Sequence, residues 1–257
     1  EIEIVAPCRE RDGLGDPNAF DRIAQMDRLI EALQQKGVRA QRGMYRDFSD
    51  KVWLVKTDQS CGLELVSPPM FGSDGIKQIR KVCKVLNGEG QRVDKSCALH
   101  VHWSVKDSEI SFFRRLFILY HRFEAVIDSM QPKSRRANCS KFARTLRSVT
   151  AGQIAQCLTI DELVSLYKTD VERDTRMVKL NAAKYPVSGT IEFRQHASTL
   201  SAIKIINWVL LTNAMVEFAK STVNIPNGSN FEAFARLLKL QEEVKKFYEE
   251  RIAELAS

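Results

Sequence analysis

The chain has 257 residues, which is long enough to bury a full hydrophobic core. Its hydrophobic content of 44% is typical of a globular protein and excludes an intrinsically disordered chain. The net charge of +7 favours an anionic partner, but a nucleotide, a nucleic acid and an acidic protein all meet that description.

Strand and helix patterns divide the first half of the chain into short elements. Strand-forming runs lie at residues 1–5, 52–56, 62–66 and 99–105. Apolar residues at three- and four-residue spacings predict helices over residues 20–36 and 74–86. A loop with Gly13, Gly15 and Pro17 follows the first strand. A turn at residues 58–60 joins the second and third strands, so these two should form a hairpin.

The second half is richer in helical patterns. A long amphipathic helix is predicted over residues 108–130, before a basic loop at residues 132–136. The remaining predictions are weaker helices within 140–167, strands at 177–182 and 189–196, and long helices at 199–221 and 230–255. Together these elements predict an α+β fold with a largely antiparallel sheet and helices packed on its apolar face. We expect one domain over residues 1–257, with a C-terminal helical extension at about 224–257.

Alternation gives four of the predicted strands one apolar face and one face of ionisable side chains. The ionisable set is Glu1, Glu3, Glu64, His100, His102, Glu192, Arg194 and His196. If these faces coincide, four carboxylates converge with few cations, and such a group needs a divalent ion or a cationic ligand. The competing interpretation is an antiparallel sheet with one solvated face. Solvated faces, however, usually carry Thr, Lys and Ser rather than Glu and His.

The choice of ligands favours a hard metal ion. A histidine pair two residues apart on a strand also occurs in zinc hydrolases, but only His121 and His196 remain to complete a zinc site. Several glutamates with one or two histidines fit Mg²⁺ or Mn²⁺ better, and such ions usually accompany phosphate chemistry. Arginine recognises phosphate oxygens in a bidentate manner. The arginines and lysines considered for this role are Arg194, Arg135, Arg136, Lys141, Arg144, Arg173 and Arg176.

Six motifs taken in chain order resemble one known family. They are E-I-E, W-L-V-K-x-D, G-L-E-L-V-S-P-P, L-H-V-H, S-R-R-x-N and T-I-E-F-R-Q-H-x-x-T-L, between Glu1 and about Trp208. This order resembles the amidoligase family, which is related to glutamine synthetase and glutamate–cysteine ligase. The chain departs from the pattern at Ala98 and at Ala197-Ser198, where glycine is expected.

The resemblance implies a curved antiparallel sheet, like that of the glutamine synthetase catalytic domain, which holds ATP and divalent metal ions. It implies that Glu1, His100 and Glu192 bind the metal nearest the transferred phosphoryl group. Glu3 and Glu64 would bind another metal. The implied nucleotide and phosphoryl contacts are His102, Arg176, Arg194, Arg135 and Arg136.

The implied activity is an ATP- and Mg²⁺-dependent ligase that forms an amide through an acyl phosphate. Its substrates would be a carboxylate and an amine, on small molecules, peptides or proteins. The alternatives are a metal-dependent amide or phosphoester hydrolase that uses the histidine pair, and a non-catalytic nucleic-acid-binding module. We expect no membrane partner and do not expect nucleic acid. Six cysteines without a CxxC pair favour reduced thiols and a cytoplasmic location, and an upstream targeting segment stays open because the chain begins with Glu1.

Overall fold

The computed structural model describes residues 1–5, 19–44, 47–58, 61–168, 175–221, 224–226 and 230–256. Within these residues the fold is mixed α+β, with nine α-helices, two short 3-10 helices and seven strands in two sheets. The chain divides into two compact units. The first unit comprises Glu1–Leu99 and Ala197–Ile206, and the second comprises His100–His196 and Asn207–Ser257. The expectation of a single domain stays a prediction.

The first unit is built on a four-stranded sheet with the order β1-β4-β3-β2. Its elements are β1 (Ile2–Val5), α1 (Ala19–Gln35), β2 (Ala40–Arg42), β3 (Trp53–Asp58), β4 (Gly62–Val66) and α2 (Gly72–Gly88). The predicted hairpin is confirmed, since β3 and β4 pair antiparallel. Strand β2 runs parallel to β3 and was not predicted, because three residues of mixed polarity give no alternation signal. Gly13, Gly15, Pro17 and most of the predicted turn at 58–60 lie outside the described residues.

The second unit contains a three-stranded antiparallel sheet with the order β5-β7-β6. Its strands are β5 (Val101–Ser104), β6 (Leu180–Asn181) and β7 (Thr190–Phe193). Its helices, in chain order, are α3 (Ile110–Ser129), α4 (Ala151–Gln156), α5 (Ile160–Ser165), α6 (Tyr185–Ser188), most of α7 (Ala202–Lys220), α8 (Phe231–Leu237) and α9 (Glu242–Ala256). Short 3-10 helices lie at Lys133–Arg135 and Leu146–Ser148.

Helix α3 forms the centre of the second unit. The face that the sequence predicts to be buried is buried throughout: Phe112, Leu116, Phe117, Tyr120, Phe123 and Ile127. The Tyr120 ring lies 6.2 Å from the Phe193 ring of β7, and the Phe123 ring lies 4.8 Å from Phe234 of α8. Burial of each such aromatic side chain contributes roughly 1.5–3 kcal/mol to stability. The helix therefore packs against both the sheet and the C-terminal helices of this unit.

Two predictions about the elements are wrong. The strands form two sheets rather than one, because residues 98–99 bridge to residues 2 and 197 of the first unit, whereas β5 pairs with β7 in the second. The helix predicted over residues 230–255 is two helices, α8 and α9. Between them Lys239 has a φ of +51°, and the Leu240 amide donates to the Ala235 carbonyl at 3.0 Å. Neither glycine nor proline marks this break, so the apolar spacing continues across it.

Gly189 sets the start of β7. It ends the unpredicted helix α6 with a φ of +65°, a conformation that glycine adopts without steric strain. A Cβ atom at this position would lie 2.6 Å from Cγ of Lys106. The Gly189 carbonyl also accepts the Val105 amide at 2.9 Å. The backbone conformation at this point therefore favours glycine, and any side chain there would also displace that of Lys106.

Helix α7 meets the length and composition criteria for a membrane span. It has 19 residues, and 56% of its most apolar window is buried inside the fold. Asn207, Thr212 and Asn213 interrupt its apolar residues. Core helices of globular proteins meet the same criteria, so this finding is weak evidence for a membrane location.

Candidate active site

The first unit carries three of the four glutamates of the predicted ionisable face. Glu3 of β1 is paired with Glu64 of β4, and Glu64 is paired on its other side with Lys56 of β3. Glu3 and Lys56 are buried, and Glu1 lies two residues from Glu3 on the same face. Strand pairing thus places three glutamates and one lysine together on adjacent strands, as alternation predicts for the glutamates.

The glutamates of this face repel one another in their charged forms. Burial is the largest cause that raises the pKa of Glu64, and the charges of Glu1 and Glu3 raise it further. Lys56 acts in the opposite direction, and the resulting pKa of Glu64 is about 8. At neutral pH this carboxyl therefore holds a proton that a divalent cation would displace.

Backbone and hydroxyl groups fix the position of Glu3. One carboxylate oxygen of Glu3 accepts the Ala98 amide at 2.6 Å, and the Ser198 hydroxyl donates to the Glu3 carbonyl at 2.5 Å. Ala98 and Ser198 lie at the two places where the chain departs from the family pattern. At both positions a small residue thus contacts Glu3: Ala98 through its backbone amide, and Ser198 through its hydroxyl.

The second unit gathers its ionisable residues around Glu192 of β7. One oxygen of Glu192 lies 2.5 Å from a terminal nitrogen of Arg194, 3.4 Å from Nδ1 of His100 and 3.7 Å from Nε2 of His102. Its other oxygen accepts the Asn181 side-chain amide at 2.6 Å. The two imidazoles therefore approach the same carboxylate, which is the arrangement that alternation predicts for His100 and His102.

The two histidines differ in their access to solvent. The His100 side chain is 8% exposed, whereas that of His102 is 33% exposed. His196 was grouped with them in the sequence, but the centre of its ring lies 5.1 Å from that of the buried Trp208, with the two ring planes tilted by 46°. The buried His100 suits a metal ligand, and the more accessible His102 suits contact with a ligand that enters from solvent.

The predicted phosphate-binding arginines lie in different surroundings. Arg194 is bonded to Glu192, and Arg135 is buried in the basic loop at residues 132–136. Arg136 donates instead to the backbone carbonyls of Gln131 and Leu255, at 2.8 and 3.1 Å. Arg176 is half-buried, and Arg173 lies outside the described residues.

Two polar residues of these faces were missed in the sequence. Lys56 belongs to the W-L-V-K-x-D motif, and its ammonium donates to the Asp47 carbonyl at 2.6 Å. Asn181 holds one oxygen of Glu192. Strand alternation could have placed Lys56 opposite Glu64, and a polar residue within a short buried strand was the signal for Asn181.

The model of the family described as "Putative amidoligase enzyme" matches residues 33–216. The chain belongs to this amidoligase family. The matched segment includes Glu64, the histidine pair, the basic loop and Glu192, while Glu1 and Glu3 precede it. No curated protein and no solved structure is significantly similar to the chain.

Proposed function

We propose that this member of the amidoligase family is an ATP- and Mg²⁺-dependent ligase that joins a carboxylate to an amine. The observation that carries the proposal is the group around Glu192, where one carboxylate oxygen lies within 3.7 Å of two imidazoles and an arginine. Carboxylate oxygen is the ligand that Mg²⁺ and Mn²⁺ prefer, and arginine suits the phosphate that accompanies such ions.

We assign divalent ions to ligands in each unit. In the second unit the ligands are His100 and Glu192, and in the first they are Glu3 and Glu64. The raised pKa of Glu64 supports the latter set, because a bound divalent ion would offset the repulsion among these carboxylates. When bound, such ions neutralise phosphate charge and polarise the transferred phosphoryl group. The assignment of Glu1 to the same ion as His100 and Glu192 stays a prediction from the family resemblance.

The proposed reaction has two steps. A carboxylate oxygen of the substrate attacks the γ-phosphorus of ATP, the bond to ADP breaks, and an acyl phosphate forms. The amine then attacks the acyl carbon and loses a proton, and phosphate leaves as the amide forms. Arg194 and Arg135 neutralise charge on the phosphoryl group, and His102 and Arg176 approach the nucleotide phosphates. Arg136, which donates to the carbonyls of Gln131 and Leu255, would join them through its other N–H groups.

The experiment that tests this proposal compares two substitutions at the Glu192 group. Glu192→Gln keeps the size of the side chain but presents an amide to the ion and to Arg194, so Mn²⁺ affinity should fall at least about 100-fold. Asn181→Ala removes only the hydrogen bond that orients Glu192, so the loss should be about tenfold. Mn²⁺ binding is measured by electron paramagnetic resonance and by calorimetry.

Turnover is measured in parallel as ADP release from Mg-ATP. We supply pairs of amino acids and peptides as carboxylate and amine, and expect release from the wild type only when both are present. Glu192→Gln should abolish this release while thermal unfolding stays cooperative. Mn²⁺ affinity within threefold of the wild type in Glu192→Gln would refute the assignment of Glu192 as a ligand.

One observation also fits a metal-dependent hydrolase, since both imidazoles of the histidine pair reach the same carboxylate. The two functions differ in their need for ATP. Metal-dependent cleavage of an amide or phosphoester without added ATP would favour the hydrolase, and amine-dependent ADP release would favour the ligase.

A further inference from the structure

Gln195, which directly follows Arg194, is completely buried and bonded through both amide atoms. Its oxygen accepts the Tyr120 hydroxyl, and its nitrogen donates to a carboxylate oxygen of Asp128. The same nitrogen donates to the Arg135 carbonyl at 3.1 Å. A buried amide left without such partners costs roughly 1–3 kcal/mol, so these contacts determine where the Arg135 backbone lies.

Asp128 holds the basic loop on its other side. Its second carboxylate oxygen accepts the Ala137 amide at 2.8 Å. Ala137 has a φ of +46°, a conformation that alanine adopts only when its surroundings impose it. Gln195 and Asp128 therefore hold the chain immediately before and immediately after Arg136.

A buried lysine connects this contact to the strand of Glu192. The Lys179 side chain is fully buried, and its ammonium lies 2.6 Å from both Asp128 and Glu124. The Lys179 carbonyl accepts the Arg194 amide at 2.9 Å. Removal of one partner from a buried charge pair is strongly destabilising, so the three charged groups remain together. The backbones of Arg194 and the basic loop are thus held by one network.

We propose that Gln195 is a positioning residue that holds Arg135 and the basic loop in place for the arginines of the site. The inference rests on the proposed function, which assigns phosphate contacts to Arg135 and Arg194. A buried guanidinium on a fixed backbone has lost its conformational freedom before the ligand arrives. Binding then proceeds without the entropy cost of ordering a solvent-exposed loop.

The test uses Gln195→Leu, which removes the amide at similar volume. We expect hydrogen exchange in a peptide covering residues 132–138 to rise at least about tenfold, and Mg-ATP affinity to fall by about the same factor. Thr212→Val is the matched control. Thr212 is also fully buried in the second unit and accepts the Trp103 indole N–H at 3.0 Å. The Thr212→Val variant should have lower thermal stability but unchanged hydrogen exchange in the loop and unchanged Mg-ATP affinity.

Tyr120→Phe is the milder second variant, because it removes only the hydroxyl that donates to Gln195. It should fold and raise loop exchange about threefold. Unchanged exchange in both variants, or an equal rise in Thr212→Val, would overturn the inference. Faster exchange with unchanged Mg-ATP affinity would overturn it too. If the wild type binds no Mg-ATP, the proposed function fails instead, and the exchange comparison alone decides whether Gln195 holds the loop.

Discussion

Glu64 shows how one residue links the carboxylate face to the stability of the protein. Its pKa of about 8 lies well above the usual value of 4.5, so between these pH values the folded chain holds a proton that the unfolded chain has released. The free energy of unfolding must therefore fall as pH rises through this window in metal-free buffer. Below pH 4.5 both states are protonated, and this contribution is constant.

Glu64→Gln removes the titrating group and should abolish that slope. At pH 9 the variant should be more stable than the wild type by about 1–3 kcal/mol, a range reduced for solvent screening. Urea denaturation at pH 5, 7 and 9 in EDTA measures this difference. Glu89→Gln, at an exposed position in the same unit, is the control and should leave the slope unchanged. A variant with the same slope as the wild type would contradict the raised pKa.

At the residue scale, the period of two in a strand was sufficient to group the main candidate site residues within each unit. Glu3 with Glu64, and His100 and His102 with Glu192, follow from alternation and strand pairing. Gln195 could not be recognised in this way. Its role depends on Asp128 and Arg135, which are distant in sequence and approach it only through tertiary packing.

At the scale of elements, the turn between α8 and α9 carries a conformational cost. Lys239 is exposed and has a φ of +51°, where a side chain is strained and glycine is not. Lys239→Gly should therefore raise the free energy of unfolding by about 0.5–1 kcal/mol, as measured by thermal or urea denaturation.

A lysine-to-glycine substitution inside a helix should instead lower the free energy of unfolding. Lys246 is exposed within α9, and Lys246→Gly should lower stability by about 1 kcal/mol. If Lys239→Gly destabilises the protein as much as Lys246→Gly, this result would contradict the left-handed conformation of Lys239 between the two helices.

Helices whose apolar residues recur over many turns were predicted well, and some elements of only a few residues were not. Helix α3 buries ten of its residues, and this strong pattern predicted it with nearly correct ends. β2 and α6, which were not predicted, have three and four residues, and their form depends on neighbours rather than on their own pattern. The break at Lys239 was missed because local hydrogen bonding there replaces the usual glycine signal.

For the molecule as a whole, metal binding should stabilise the fold in a pH-dependent way. An ion that binds only the folded state, present at a concentration 100 times its dissociation constant, raises the free energy of unfolding by roughly 2.7 kcal/mol. Because Glu64 must release its proton first, the rise in melting temperature with MgCl₂ should be larger at pH 8.5 than at pH 6.5. Differential scanning fluorimetry at constant ionic strength measures this shift.

Glu64→Gln is the control for the pH dependence of metal binding. It should show a smaller Mg²⁺ shift than the wild type, and this shift should be similar at the two pH values. An equal Mg²⁺ shift in the wild type and in the variant at both pH values would contradict the role of Glu64 as a ligand.

The fold class was accessible from the sequence, but the separation into two sheets was not. The strand predicted over residues 99–105 appeared as one run, whereas Leu99 belongs to the first unit and His100 to the second. Nothing in the local pattern marks that boundary, because alternation reports which face a side chain occupies and not which strand becomes its neighbour.

Gly189 would mislead a comparison of related sequences. Its left-handed backbone strains any other residue, and a Cβ atom there would force the adjacent Lys106 side chain to move, although Gly189 contributes no chemical group to the site. In a saturation library, substitutions at position 189 should be lost about as often as those at Glu192, three residues further along the chain. A glycine this intolerant and this close to the proposed metal ligand Glu192 would be ranked as catalytic by activity-based selection, when its role is to start the strand that carries Glu192.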